Sequence, residues 1–261
     1  MRNKAKECVL KAKELIAAGD YDSLRYACLE LRFAIEYITY SLASTYKDEL
    51  STESYKNWKA NQLIQAMLAI DPGADKSHQI AIGPQSHPDV AASTLRNLGE
   101  DKRFSLKWAN KNYNALGNFL HAPSIEHIEN NIVVSKEKIK DKVQEVLLIL
   151  EEALLSPVWN VNFGTFHSFT CICGRKFKRR VESYKADDGI PCPSCKAIWD
   201  DLGQDDEGKT TFRMRETEYQ CLACNKIGLI GVHQIKLGAV LVCGCGAKNQ
   251  ITYGTQLVEE H

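Results

Sequence analysis

The chain has 261 residues, enough for about two domains, with 44% hydrophobic and 25% charged residues, which is ordinary for a folded, water-soluble protein. Its 33 basic and 33 acidic residues cancel, and the stretch 161–261 alone is balanced at 13 against 12, so bulk charge supplies no argument for a polyanionic partner. No apolar run approaches the length of a membrane span, and the start MRNKAKECVLKAKELIAAGD breaks its apolar positions with charges, unlike a secretory signal; the expected compartment is the reducing cytoplasm, with no membrane partner.

In chain order, Cys8, Val9, Ala12, Leu15 and Ile16 recur at helical spacing over 3–18. Gly19 closes that helix and Asp20 caps the next. The second pattern runs over 21–47 through Leu24, Ala27, Cys28, Leu31, Ala34, Ile35, Ile38 and Leu42. Cys8 and Cys28 sit alone in these patterns and read as small buried hydrophobes. A third helix is expected over 56–70, with Trp58, Leu63, Ile64, Met67 and Leu68. Residues 71–102 carry several Pro and Gly and read as a long connection, with room for a short helix at 88–98. A final helix is expected over 124–155, capped by Ser124 and lined by Ile128, Ile132, Ile139, Val143, Val146, Leu147 and Leu150.

The helix expected at 105–121, SLKWANKNYNALGNFLH, has two stripes. Leu106, Ala109, Tyr113, Leu116 and Leu120 form the apolar one; Lys107, Asn110, Asn114, Asn118 and His121 form a polar one. Asparagine is a poor helix former, so the repeat asks for a reason. It is either a solvated face bonded to the long connection or a site for a polar or anionic ligand.

The order of helices, the LRFAIEYITY run and the YNALGNFLHAP end resemble HEPN-type helical domains, over roughly residues 1–155. The resemblance implies a dimerising helical bundle and a ribonuclease mechanism in which an Arg, four to six residues before a His, stabilises the scissile phosphate. His121 stands where that His would be, but 114–116 are Asn114, Ala115 and Leu116. The resemblance therefore implies a non-catalytic scaffold and homodimer, with a metal-independent endoribonuclease using His121, Asn114 and Asn118, or a remote Arg25 or Arg32, as the enzyme alternative. A prokaryotic defence or toxin–antitoxin setting is implied by the resemblance alone.

After Pro157 the texture changes to aromatic and β-branched, VWNVNFGTFHSFTC, which reads as a strand. Then come eight cysteines in two mirrored blocks: Cys171-Ile-Cys173 with Cys192-Pro-Ser-Cys195, and Cys221-Leu-Ala-Cys224 with Cys243-Gly-Cys245. In each block 18 residues separate the inner cysteines. In a reducing compartment such pairs are metal ligands rather than disulfides. Both blocks look like zinc ribbons, each holding one structural Zn2+ with no open coordination position. Sequential pairing closes the shorter loops, though an interleaved set and an iron site use the same thiolates. His167 and His233 lie near the ligands but are not needed by them.

Within the first block a strand through Phe177 to Tyr184 is expected to return at Asp187-Asp188-Gly189. The second block is expected to have strands near 228–235 and 238–242. Arg175, Lys176, Phe177, Lys178, Arg179 and Arg180 make a cationic stretch with an aromatic inside it, and Tyr184 and Trp199 add rings. This pattern suits RNA or DNA through phosphate contact and base stacking. Its competitor is neutralisation by Asp200, Asp201, Asp205, Asp206 and Glu207, in what reads as an inter-ribbon linker. The expected architecture is α+β and multidomain: a helical bundle at 1–157, a first ribbon at 158–203 and a second at 204–261. The expected function is nucleic-acid binding without hydrolysis, with a protein-interaction adaptor as the remaining alternative.

Overall fold

The computed structural model describes residues 1–56, 59–87, 90, 92–122, 124–130, 134–184 and 188–252. Trp58, Pro88, Pro123, Ile132 and Asp187, which entered the sequence reading, lie outside the described residues. The fold is α+β and divides into two compact units, Met1–Gly164 and Thr165–His261.

The first unit is built on a helical hairpin of α1 (Arg2–Ala18) and α2 (Tyr21–Ala43). Gly19 adopts φ 70° and its N–H reaches Leu15 O, which ends α1; Asp20 then accepts from Ser23 N at 2.9 Å and starts α2. A 3-10 turn at Ser44–Tyr46 follows, then α3 (Thr52–Tyr55) and α4 (Ala60–Leu68). The core side of α2 carries Leu24, Leu31 and Ile35, with Ala27 and Ala34 between them, all fully buried. Cys8 and Cys28 are buried as expected, and desolvation pushes their thiols up to about 11 and about 12.

The connection at 71–102 is not a plain loop. It contains an antiparallel hairpin of β1 (His78–Ile82) and β2 (Arg96–Asp101). The short helix expected at 88–98 is therefore replaced at its end by strand. The register shifts between Ile80 and Ala81, opposite Gly99 at φ 115°. A Cβ there would stand 2.3 Å from Pro157 Cγ, so both the left-handed backbone and the close approach require glycine.

Helix α5 (Leu106–Asn118) is capped by Ser105, which accepts from Trp108 N, and Leu106 N also donates to Asp75 Oδ2 at 2.8 Å. The single long helix expected over 124–155 is two. A short α6 (Ile125–Glu129) leaves Ile128 exposed, and α7 (Lys136–Leu155) starts anew at the Ser135 cap. Ile139, Val143, Val146, Leu147 and Leu150 of α7 are buried in the same core as α2. Each such side chain contributes about 1.5–3 kcal/mol of transfer free energy.

A polar knot, invisible in the hydrophobic pattern, ties the tail of this unit to its middle. Arg103 pairs with Asp101 at 2.7 Å, with the two side chains 5% and 4% exposed. Arg103 also donates to Ala74 O and Val161 O, while Asp101 accepts from Val161 N. Asn160 reaches Ser41 Oγ, and Asn162 reaches Thr45 O and the buried Glu49. The stretch 158–165, expected as strand, is used for these bonds instead.

The second unit holds four hairpin-borne cysteine pairs. Strand β3 (Phe166–Thr170) pairs with β4 (Lys176–Arg180). A 3-10 turn at Val181–Ser183 leads to β5 (Ile190–Pro191), which pairs with β6 (Ile198–Gln204), and β6 pairs with β7 (Thr210–Met214). Then β8 (Glu216–Gln220) pairs with β9 (Ile227–Gly231), a second 3-10 turn follows at Val232–Gln234, and β10 (Val240–Val242) pairs with β11 (Lys248–Gln250). The acidic stretch read as a linker is the β6–β7 hairpin. Asp205 Oδ1 organises its tip by accepting from Glu207 N and Lys209 N. Phe169, Phe177, Ile190 and Ala197 form a small core beneath the first cysteine set, flanked by Trp199, Phe212 and Met214.

Replacing Arg103 with Met strands the Asp101 carboxylate in the interior. Urea unfolding of Arg103→Met is expected to show a loss of about 3–5 kcal/mol, far more than Lys4→Ala, whose salt bridge with Glu7 is exposed.

Candidate metal centres

Each cysteine pair occupies the tip of a hairpin whose flanking strands pair with one another. Cys171 and Cys173 lie between β3 and β4, and Cys192 and Cys195 between β5 and β6. Cys221 and Cys224 lie between β8 and β9, and Cys243 and Cys245 between β10 and β11. This corrects the expected strand partnership. Strand β4 pairs with the chain before the first thiols, not with the chain after Gly189.

All four tips solve one backbone problem in the same way. The residue after the second cysteine is left-handed: Gly174 (φ 81°), Lys196 (φ 69°), Asn225 (φ 57°) and Gly246 (φ 88°). Its N–H closes the turn on the first cysteine's carbonyl at 2.8–3.1 Å. The first cysteine's N–H then bonds across to Arg175, Ala197, Lys226 or Ala247 O at 2.7–3.0 Å. The shorter CxC tips use glycine for the positive φ, and the longer CxxC tips carry Lys or Asn there.

The tips meet in sequential pairs, not interleaved. Cys171, Cys173, Cys192 and Cys195 form one cluster and Cys221, Cys224, Cys243 and Cys245 the other, with the sulfurs of each within 4.8 Å of one another. The closest separations are 3.5 Å (Cys171–Cys195), 3.8 Å (Cys173–Cys192), 3.9 Å (Cys221–Cys245) and 3.7 Å (Cys224–Cys243). A tetrahedron with metal–sulfur bonds of about 2.3 Å has edges of about 3.8 Å. These separations are far longer than a disulfide at about 2.05 Å. Each set therefore fits one tetrahedral metal ion with all four positions filled by protein, a structural rather than a catalytic arrangement.

The surroundings stabilise thiolate unevenly. The Arg175 backbone N–H lowers Cys173 to about 7, helped by the neighbouring thiols. Asn249 donates to Cys221 Sγ at 3.4 Å; with the Cys224 and Ala223 amides it lowers that thiol to about 6. Desolvation instead raises Cys195 to about 12. Asn249 also accepts from Leu222 N at 2.9 Å, so one side chain of β11 fixes the tip of the neighbouring hairpin. The sequence reading missed Asn249. Its only sequence signal is a position in the strand after a CxC pair. His167 packs edge-on against Phe212 and Tyr184, and His233 belongs to the second 3-10 turn; neither belongs to a cluster.

The cationic stretch is split by the pleat of β4. Phe177 is 3% exposed and stacks on Phe169 at 4.9 Å, so it is a core residue and offers no face to a base. Trp199 and Tyr184 pack on the same core. Lys176 is exposed, Arg175, Lys178 and Arg179 are half-buried, and Arg180 is buried. Lys178 Nζ and Arg180 Cζ sit 4.7 Å and 5.0 Å from the Phe166 ring centre. Two of the acids expected as neutralisers bond elsewhere: Asp200 accepts from Arg215 Nε at 2.9 Å, and Asp201 accepts from Tyr184 Oη and Gly203 N.

In the helical unit, α5 ends at Asn118, so His121 lies past the helix, exposed, rather than on its polar stripe. Asn114 and Asn118 are exposed. The asparagine with a structural task is Asn112, fully buried, donating to Trp108 O and accepting from Lys142 Nζ at 3.1 Å. Its signal was legible, since it falls with Ala109 and Leu116 at core spacing. Arg25 clamps the end of α5 by donating to Phe119 O and Leu120 O, and it lines an open cleft of about 1210 Å3 together with Asn118 and His121. Arg32 instead lies over the Tyr113 ring at 4.1 Å, and Tyr113 Oη donates to Glu36 at 2.6 Å. No helix among the described residues is long and apolar enough to cross a membrane.

Loss of the Asn249 contact removes a donor from one centre only. Asn249→Ala is expected to weaken metal binding at the second site about 10–100-fold and leave the first unchanged, as read by chelator competition resolving the two sites.

No protein-family model, curated protein or solved structure matches this chain, so the two four-sulfur centres are read from their own geometry.

Proposed function

We propose that the chain is a two-zinc protein whose first ribbon docks on the backbone of a nucleic acid, with the helical unit serving as an HEPN-like, non-catalytic dimerisation scaffold. Zinc is the commonest ion of closed four-thiolate sites, and iron is the alternative that metal analysis distinguishes. The observation that carries the docking surface is the outer side of β4. Its cations repeat every second residue at Lys176 and Lys178, and Lys178 is seated on Phe166, so less side-chain freedom is lost on contact. The engagement of Asp200 by Arg215 also weakens the rival in which that acid neutralises this stretch. With Phe177 in the core, the contact is electrostatic and sequence-tolerant rather than a stacking platform. A bundle dimer would present two such strands to one polymer.

A second reading is favoured by one contact set. Arg25 lines the same cleft as His121, and on this reading it would supply the cation missing at 114–116. A metal-independent ribonuclease reading would use His121 for proton transfer and Arg25 for phosphate charge. A protein adaptor without nucleic acid is the third outcome.

Fluorescence anisotropy with single-stranded RNA and duplex DNA separates them. Lys176→Glu with Lys178→Glu is expected to weaken binding at least about tenfold and to reduce the salt slope by about 1–2. Unchanged affinity would remove this surface, and absence of salt-sensitive binding to either polymer would favour the adaptor. Incubation with RNA is expected to give no cleavage; cleavage lost in His121→Ala would establish the second reading.

A further inference from the structure

The two cysteine blocks place equivalent edge strands in the fold and protect them differently. Strand β4 follows the first thiol pair of its block and leads into a 3-10 turn; β9 does the same in the second block. In the first block, Cys171 N bonds Arg175 O and Val181 N bonds Thr165 O, at either end of one continuous register. Antiparallel alternation between those ends turns the backbone groups of Lys176, Lys178 and Arg180 away from β3. In the second, Cys221 N bonds Lys226 O and Val232 N bonds Arg215 O, again on one register. The same alternation turns the N–H and C=O of Ile227 and Leu229 away from β8.

Among the described residues β9 has one neighbour, β8, so this edge carries no strand. Natural edges are guarded by charge, proline or a bulge. Strand β4 has its three cations, and the free side of β8 has Glu216 and Glu218. Strand β9 reads Ile227-Gly228-Leu229-Ile230-Gly231 with an unbroken register and no guard. Its inner face is ordinary: Ile230 is buried, and Gly228 lies so close under the Tyr219 ring that a Cβ would stand 2.6 Å away. Its outer face is not. Ile227 and Leu229 are 68% and 64% exposed, on the side of the sheet where polar residues are the rule.

We propose that β9 is a strand-addition site for a protein partner, taking an extended segment whose outer-face positions, every second residue, carry apolar side chains in the middle and basic ones at the ends. The unpaired backbone groups of Ile227 and Leu229 supply the hydrogen bonds, and their side chains supply an apolar strip. Charge selects the partner: Glu216 and Glu218 are exposed on the same outer face, opposite Gly231 and Leu229. An added strand would run about 10 Å from them, two strand spacings, within mutual reach of Lys and Glu side chains. The site is independent of the polymer that β4 contacts, and it assigns a protein-binding task to the second block.

The test uses the full, metal-loaded chain and the labelled peptide acetyl-Lys-Thr-Ile-Thr-Ile-Thr-Lys-amide, in which Lys and Ile share one face. Saturable binding is expected, with protection of the Ile227 and Leu229 amides in hydrogen exchange. Methylating alternate peptide amides is expected to weaken it at least about tenfold. Replacing the peptide's Lys with Glu is expected to weaken it to a similar degree. The double variant Ile227→Lys with Leu229→Lys, which gives β9 the guard that β4 has, is expected to abolish binding while metal content stays at the wild-type value. No peptide binding, or binding indifferent to amide methylation or to the double variant, would overturn the site. So would a double variant that loses RNA binding or self-association while the wild type ignores the peptide.

Discussion

Closure of two hairpin tips on one tetrahedral ion is the constraint on which the second unit depends. Each block offers only short strands, and ribbons of two strands are marginal by themselves. Four sulfurs brought to 3.5–3.9 Å without a metal would be a collection of crowded, mutually perturbing thiols. An ion turns that cost into binding energy, which in such modules is folding energy. The repeated left-handed residue after each cysteine pair shows how strictly the backbone serves this end.

The two centres are not equal partners in stability. The first rests on a small aromatic core, with Phe169 stacked on Phe177 and flanked by Phe212. The second has almost no core; Leu222, Ile227, Leu229, Leu237, Val240 and Val242 are all more than half exposed. Its order therefore leans on the closure of its four-sulfur cluster and on Asn249. That contrast separates their uses: the first block presents cations on a rigid base, and the second presents apolar side chains on an unguarded edge.

The helical unit follows a different logic. Its core is the familiar burial of one face of α2 against α7, but its closure is polar. Arg103, Asp101, Asn160 and Asn162 bind the end of the unit to its middle, and Arg25 fixes the two carbonyls that follow α5. The same Arg25 lines the open cleft that His121 also lines, so a residue bonded for packing also shapes that cleft.

The helices α1, α2, α4, α5 and α7, the buried Cys8 and Cys28, and the membership of both sulfur clusters could be read from the chain itself, because periodicity and ligand spacing are local properties. Other features depended on contacts between distant residues. Whether Phe177 would face solvent or Phe169 depended on the register of β4 against β3. The acidic stretch at 200–209 looked like a linker because its hairpin is specified by pairing with Trp199 through Met214, not by apolar alternation. The break between α6 and α7 is a local restart at Ser135 that the continuous apolar spacing masked. Sequence thus determined which residues could ligate, and roughly which would be buried. Tertiary structure alone decided which strand edges are guarded and which cations are free to act, because both follow from who lies opposite whom.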